Sequence, residues 1–223
     1  MQKFATPAPI SAVLDIPAGR IQFIAADRTD TTVEVLPANA SKSRDVKAAE
    51  EIEVSYSDGV LRIQAPEAKN RILGHTGSVE VTVQLPAGSR VEAKSAAAEF
   101  RGVGRLGDVA FADGYRSVKL DEAASARLTV LDGDVSVGRL GGPAEISTQK
   151  GDINITEALS GALVLRTQMG NVSVSAAAGV SASLDAGTGY GRIHNALKNT
   201  DGAAADLTIH ATTTHGDITA RSL

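Results

Sequence analysis

The stretch Gly133–Val137, with the sequence Gly-Asp-Val-Ser-Val, decides the fold because its pattern returns along the second half of the chain. A turn glycine and a short polar residue are followed by alternating apolar and polar side chains, as in a strand with one buried face. Close copies begin at Gly151 and Gly170, and looser copies begin at Gly191 and Gly216. Successive glycines lie 18, 19, 21 and 25 residues apart, which indicates a structural repeat.

A second apolar column precedes these glycines. For the first three glycines, the column contains the residue five positions earlier. For the last two, it contains the residue seven positions earlier, which assumes that the later turns have gained two residues. Its members are Leu128, Ile146, Leu165, Leu184 and Ile209. Each repeat is therefore a strand, a glycine turn, a second strand and a short return loop.

A unit of this length cannot bury its apolar face alone and must stack on its neighbours. We therefore predict an all-β fold, a parallel β-solenoid with two strands per coil of about 19 residues, over residues 91–223. The return loops are too short for helical crossovers, and hairpins in a sandwich do not predict columns with one repeat length. The other buried column should be Val135, Ile153, Val172, Ile193 and Ile218, and small inward residues are Ala126, Ala144 and Ala182.

The first 90 residues contain strand patterns that are less regular. Ser57–Gly59 is typical of a tight hairpin turn, and residues 43–51 form one plausible short helix with Ser43 as its cap. We interpret residues 1–90 as an irregular β-rich cap, an antiparallel layer that covers the first coil and is continuous with the solenoid.

Composition excludes several classes of function. The chain has 223 residues, no cysteine, a net charge of −4 and only 3% aromatic residues. Thiolate chemistry and cysteine-ligated metals are excluded, and the charge does not suit a nucleic-acid binder. No apolar run is long enough for a membrane span or an export signal, so we expect a cytoplasmic protein.

The serial turns resemble one family when they are taken with three further segments, Leu85–Ser89, Gly189–Asn195 and His215–Thr219. They are similar to the bacterial putative-adhesin family of β-solenoid domains of unknown function, of the actinobacterial type. The resemblance covers about Ile16 to Ala220. It implies a non-enzymatic interaction or scaffold module with an unknown protein or surface partner, and it supplies no catalytic residues.

The polar position after each turn glycine could suggest calcium. This column reads Asp134, Asp152, Asn171, Arg192 and Asp217. Calcium β-rolls repeat every nine residues, however, and an arginine in the column would repel a cation. We interpret the column as short side chains that bond the backbone of the turns.

The histidines are His75, His194, His210 and His215. The last two lie five residues apart across a predicted turn, but no third ligand has a convincing spacing for zinc. No nucleophile elbow is present, and Gly102–Gly107 has dinucleotide-like spacing but opens no helix, so turn glycines explain it better.

The alternative function is a polysaccharide- or ester-acting hydrolase or lyase on a β-helix. Its candidate residues, Arg166, Asp185 and Asp206, are scattered over different coils. We expect Asp121, Glu122, Arg166 and Lys198 to form a solvated face, and we predict no catalytic, cofactor-binding or metal-binding residues.

Two surfaces remain as candidates for binding. Outward Ser136, Asn154, Ser173 and Thr219 should form a flat, lightly charged strip. The last coil, Leu207–Ala220, has no helix to cap it, so we expect a homodimer through this C-terminal coil unless the loop of residues 199–205 folds over it.

Overall fold

The computed structural model describes residues 1–66 and 77–223. His75, one of the four histidines considered above, lies outside the described residues. Within these residues, one helix, α1 (Ser43–Glu50), and one short 3-10 turn (Gly202–Ala204) accompany 19 strands. The strands are β1 (Gln2–Ala5), β2 (Ser11–Asp15), β3 (Ala18–Ala26), β4 (Asp30–Pro37), β5 (Glu53–Ser57), β6 (Val60–Gln64), β7 (Val79–Pro86), β8 (Arg90–Lys94), β9 (Ala97–Gly114), β10 (Val118–Asp132), β11 (Val135–Leu140), β12 (Ala144–Lys150), β13 (Ile153–Ala158), β14 (Gly161–Met169), β15 (Val172–Ala176), β16 (Ala182–Tyr190), β17 (Ile193–Ala196), β18 (Leu207–His215) and β19 (Ile218–Ser222).

The pairings fall into two ladders that face each other across the core. The first ladder runs β5-β6-β2-β8-β9-β10-β12-β14-β18-β16. The second runs β1-β4-β7-β3-β9-β10-β11-β13-β15-β19-β17. The long strands β9 and β10 belong to both, because their two halves pair in different ladders.

The predicted parallel β-solenoid is confirmed. From β8 onward every pairing is parallel, and Val135, Ile153 and Val172 stand in one register column. Their side chains are at most 1% exposed. The fold thus follows from the alternation, since each coil buries its apolar face against the next coil and the opposite ladder.

The order of the coils departs from the order of the sequence. β14 and β15 pair with β18 and β19, which in turn pair with β16 and β17. The last coil of the sequence is therefore inserted between two earlier ones, and the β16–β17 coil ends the solenoid. The expectation that Leu207–Ala220 forms the open end was wrong, and so was burial of Ile193, which is 46% exposed on the outermost coil.

The second buried column also needs a correction. Leu128, Ile146 and Leu165 share a column, but the next member along the stack is Ala211, followed by Ala186. Leu184 and Ile209 continue the neighbouring column instead, which contains Ala126, Ala144 and Leu163. The later turns have therefore gained no residues. Ala211 and Ala186 occupy the column to which Ile209 and Leu184 were assigned.

The N-terminal half also contains parallel coils. β2 pairs in parallel with β6 and β8, and β3 does so with β7 and β9, so the layer is not purely antiparallel as expected. Antiparallel pairing is confined to β1, β4 and β5, and the β5–β6 hairpin confirms the turn at Ser57–Gly59. The expected capping role of Ser43 was wrong, because the helix is preceded by Lys42, whose side chain makes no capping bond.

Candidate functional site

The polar column beside the turn glycines links each coil to the next. The Oδ1 atom of Asp134 accepts a hydrogen bond from the backbone N–H of Asp152 at 2.9 Å, and Asp152 accepts from Asn171 at 2.7 Å. Asn171 then accepts from Asp217 and Asp217 from Arg192, both at 2.8 Å. Arg192, at the turn of the outermost coil, ends the column within the described part of the chain. The acceptors therefore serve the backbone, as the sequence suggested, although they bond the following coil rather than their own turn.

The turn glycines stack without room for a side chain. Gly151, Gly170, Gly216 and Gly191 have φ between 139° and 157°, and a Cβ atom on any of them would overlap the glycine carbonyl of the neighbouring coil. Threonines three positions earlier donate to those carbonyls, as Thr213 does to Gly170 at 2.9 Å. The repeated glycine, polar residue and threonine at this edge of the solenoid therefore hold adjacent coils together.

The predicted polar strip lies on the outer side of the second ladder. Ser136, Asn154, Ser173 and Thr219 are neighbours in one register column, and none of them is buried. His194 extends the strip on the outermost strand, β17. The strip is flat and uncharged over four coils.

Charged side chains on the outer faces are mostly paired between adjacent strands. Arg101 contacts Asp121 at 3.2 Å, and weaker pairs join Arg127 to Glu145 and Arg139 to Glu157. Such exposed pairs contribute about 0–1 kcal/mol each. Asp121 thus takes part in an ion pair, and Lys198 is exposed as the predicted solvated face requires.

A groove crosses the outer side of the first ladder and was missed by sequence reasoning. It has a volume of about 500 Å³ and spans strands β8, β9, β10, β12 and β14. Ala110, Ser125, Pro143, Ala162 and Val164 line its floor with small or apolar side chains, and the inward-facing Val109, Ala126 and Ala144 also border it. Its charged lining alternates along the five strands as Arg90, Asp108, Arg127, Glu145 and Arg166.

Two of these arginines are available to a ligand. Arg127 faces Glu145 at 3.6 Å, and Asp108 accepts a hydrogen bond from the Ser125 hydroxyl at 2.6 Å. The guanidinium groups of Arg90 and Arg166 have no carboxylate partner among the described residues. The signal that could have revealed the groove is the run of small residues at outward positions of successive coils. This run can be recognised only when the register of the paired strands is known.

The histidines do not gather into a metal site. His210 and His215 both lie in β18 rather than across a turn; His210 contacts Asp185 at 3.2 Å, and His215 stacks on the Tyr190 ring at 5.0 Å. Across residues 1–66 and 77–223, no three His, Asp or Glu side chains are placed to hold a metal ion. Asp185 therefore has a histidine partner, whereas Arg166 lines the groove and Asp206 offers its backbone carbonyl to Gly161.

The glycines of Gly102–Gly107 lie within β9, where Gly104 takes a φ of 77° beside a register shift.

The outermost coil presents a further surface. β16 and β17 each have a strand partner on one side only, β18 and β19 respectively, within the part of the chain that the structure describes. Ile193 is 46% exposed and Tyr190 is 73% exposed, whereas Ile218, which neighbours Ile193 in its column, is 1% exposed. The loop of residues 199–205 folds beside this coil, where the backbone N–H groups of Thr200 and Asp201 donate to the Ser181 hydroxyl. The carbonyl of Lys198, just before the loop, accepts the Ala182 N–H at the start of β16, and no strand pairs with the rest of either outer edge among the described residues.

At the opposite end an ion-pair cluster holds the short strand β1. Asp30 contacts Arg28 and Lys3, each at 2.7 Å, and Lys3 belongs to β1. The hydrogen bond from Arg28, aided by that from Lys3, lowers the pKa of Asp30 to about 2.

None of the described helices is long and apolar enough to cross a membrane.

Comparison with known proteins places the chain in a family. No curated protein matches its sequence. Solved structures that match most of the chain include a putative adhesin from Parabacteroides distasonis, with 16% identity, a TM-score of 0.49, and coverage of 98% of this chain and 95% of that one. A putative adhesin from Bacteroides fragilis has 13% identity, a TM-score of 0.45 and the same coverage. The sequence profile of the Toastrack family, DUF4097, matches residues 13–221, and this chain therefore belongs to that family of domains of unknown function.

Proposed function

We propose that the protein is a non-enzymatic interaction module that binds an extended acidic segment of a partner protein in the groove of the first ladder. The observation that carries this proposal is the pair of guanidinium groups, Arg90 and Arg166, that line the groove without a counter-ion among the described residues. Guanidinium groups bind carboxylates through two parallel hydrogen bonds, which makes arginine well suited to acidic peptides.

The dimensions of the groove suit a chain rather than a compact ligand. Arg90 on β8 and Arg166 on β14 are four strand spacings (about 19 Å) apart across the ladder and four residues (about 13 Å) apart along it, so about 23 Å separates their backbone positions. An extended segment of about seven residues covers that distance at ~3.3 Å per residue. The small side chains of the floor allow the backbone of such a segment to approach closely, and Arg127 stands midway.

The solenoid keeps these groups in place. Each arginine lies on or beside a strand that is paired on both sides, and the register of the coils fixes their spacing. A rigid surface loses little conformational entropy when it binds, so modest contacts suffice for recognition. Three arginines against two acids give the groove a net charge of +1 on a protein whose total charge is −4.

The test uses a fluorescein-labelled peptide of ten glutamates and measures fluorescence anisotropy at low and high salt. We expect salt-sensitive binding that Arg90→Gln together with Arg166→Gln weakens at least about fivefold, whereas Lys119→Gln on the other ladder leaves it unchanged. Absence of binding at low salt, or equal loss in the Lys119→Gln control, would contradict the proposal.

A further inference from the structure

The outermost coil combines two unpaired strand edges with an uncovered core. β16 and β17 lie in opposite ladders, and no strand within residues 1–66 and 77–223 pairs with their outer edges. Only the Ala182 N–H at the start of β16 is taken up, by the Lys198 carbonyl, which leaves the rest of that edge open. Leu184 and Ala186 are only half-buried, and Ile193 is 46% exposed. Unpaired edges of this kind attract another strand, and proteins normally cover or blunt them.

The other end of the solenoid is covered. There β4 pairs antiparallel with β7, the four-residue β1 pairs with β4, and β5 pairs with β6. The carboxylate of Asp45 in α1 accepts the backbone N–H of Ser78, which fastens the helix beside β7. β1 and β5, the last strands of their ladders here within the described residues, are paired antiparallel, so this end does not continue the parallel coil on which a second copy would stack head to tail.

Arg192 argues against a further coil stacked in parallel. The four preceding turns in the stack supply an Asp or Asn oxygen to the N–H of the next coil, but the guanidinium of Arg192 is a donor only. A parallel coil placed on β16 and β17 would lack this acceptor. An antiparallel arrangement does not place a turn N–H over Arg192 and has no such requirement.

The shape of the end identifies its occupant. A single strand from another protein could cover β16 or β17, but not both, because the two ladders are about 10 Å apart on either side of the core. A second copy of the same coil presents two edges at the same separation and its own uncovered apolar residues. We propose that two copies of the chain pair through β16 and β17 about a two-fold axis.

The pattern of β16 is compatible with this symmetry. In antiparallel self-pairing, only registers centred on a residue keep inward side chains facing the shared core. A register centred on Ala186 faces Leu184 with Thr188 of the second copy, and Asp185 with Gly187, so the two carboxylates are not directly opposed. Gly187 has open space around it, so it makes room at this position.

The buried area sets the expected strength. The end face is one nine-residue strand long, about 30 Å, and on the order of 15 Å wide, which gives ~900 Å² for both copies together. This is at the low end for a specific interface, so we expect a dimer whose population rises with protein concentration.

Sedimentation velocity on the full chain, from about 1 to 500 μM, tests the proposal. We expect a monomer–dimer equilibrium whose dissociation constant rises at least about tenfold in Ile193→Lys, because a charge is placed in the pairing edge. Asn154→Lys, which adds the same charge in the middle of the stack, should leave the equilibrium unchanged. Circular dichroism confirms that both variants remain folded.

A protein that stays monomeric at the highest concentration would overturn the proposal. A dimer that persists unchanged in Ile193→Lys would also overturn it, and Ala186→Lys gives an independent check on the edge of β16. β18 lies between β14, the groove strand nearest this end, and β16, and the two sites share no residue, so peptide binding and dimerisation can fail independently.

Discussion

At the residue scale, stacking rather than ligand binding explains the repeated turn. The glycine, the short polar side chain after it and the threonine three positions before it each contact an adjacent coil, as at Gly170, Asn171 and Thr167. The glycine permits the close approach of the neighbouring backbone and the positive φ. The polar residue and the threonine form hydrogen bonds with backbone N–H and C=O groups of adjacent coils.

Replacing Gly170 by alanine tests the steric part of this account. Its φ is 155°, and an added Cβ would overlap the carbonyl oxygen of Gly151, so we expect Gly170→Ala to reduce the free energy of unfolding by about 2–4 kcal/mol. Urea denaturation measures the change. The matched control is Gly187→Ala, where nothing lies near the new methyl group, and equal losses in both variants would contradict the account.

Asp152 tests the hydrogen-bonding part. Asp152→Ala removes the acceptor for the Asn171 N–H, and we expect a loss of about 1 kcal/mol in the free energy of unfolding. Asp152→Asn retains a side-chain oxygen and should restore most of the stability. If the asparagine variant were as unstable as the alanine variant, charge rather than the hydrogen bond would be responsible.

At the element scale, the strands depend on strict alternation of buried and exposed positions. Ile153 is fully buried in β13, whereas its neighbour Asn154 is exposed. We expect Ile153→Asp to cost several kcal/mol, because a carboxylate would be buried without a partner. Asn154→Asp places the same group on the outside and should stay within about 0.5 kcal/mol of the wild type in thermal or urea unfolding.

The β1 strand provides a prediction about pH. The pKa of Asp30 is lowered to about 2 in the folded state by Arg28 and Lys3, below its value in the unfolded chain. This contribution to stability is therefore present above about pH 4 and is lost as the pH falls towards 2. We expect stability to fall less steeply over this range in Asp30→Asn than in the wild type.

Urea denaturation at pH 5, 4, 3 and 2.5 measures this difference. Asp58→Asn is the control, since that carboxylate lies in the β5–β6 turn and has no ion pair among the described residues. A wild type and an Asp30→Asn variant with parallel pH profiles would show that the cluster does not hold β1.

Sequence reasoning reached the solenoid but not the order of its coils. Alternation and the turn glycines identify strands and a repeat length, which fix Val135, Ile153 and Val172 as one column. They do not say which coil lies beside which, because β17 and β19 carry the same pattern of inward Ile and outward polar residue. The groove was missed for the same reason, since it depends on side chains from five strands in register.

At the scale of the whole molecule, the insertion of the last coil decides which surface is open. If β18–β19 ended the stack, Ile218 would be exposed; instead it is 1% exposed and Ile193 is 46% exposed. The position of Arg192 is consistent with this order, because only the turn of the outermost coil needs no side-chain acceptor for the N–H of a following coil. Both the end-to-end dimer and the position of the unpaired edges follow from it.

Paired cysteines test the order of the coils directly, because the natural chain contains none. Ser173 faces Thr219 in the adjacent strand, and His194 lies one strand beyond. We predict that the shortest bifunctional thiol reagent joins Ser173→Cys to Thr219→Cys within one chain and fails with Ser173→Cys and His194→Cys. Efficient cross-linking of the second pair, with none of the first, would mean that the coils stack in sequence order and would contradict the account.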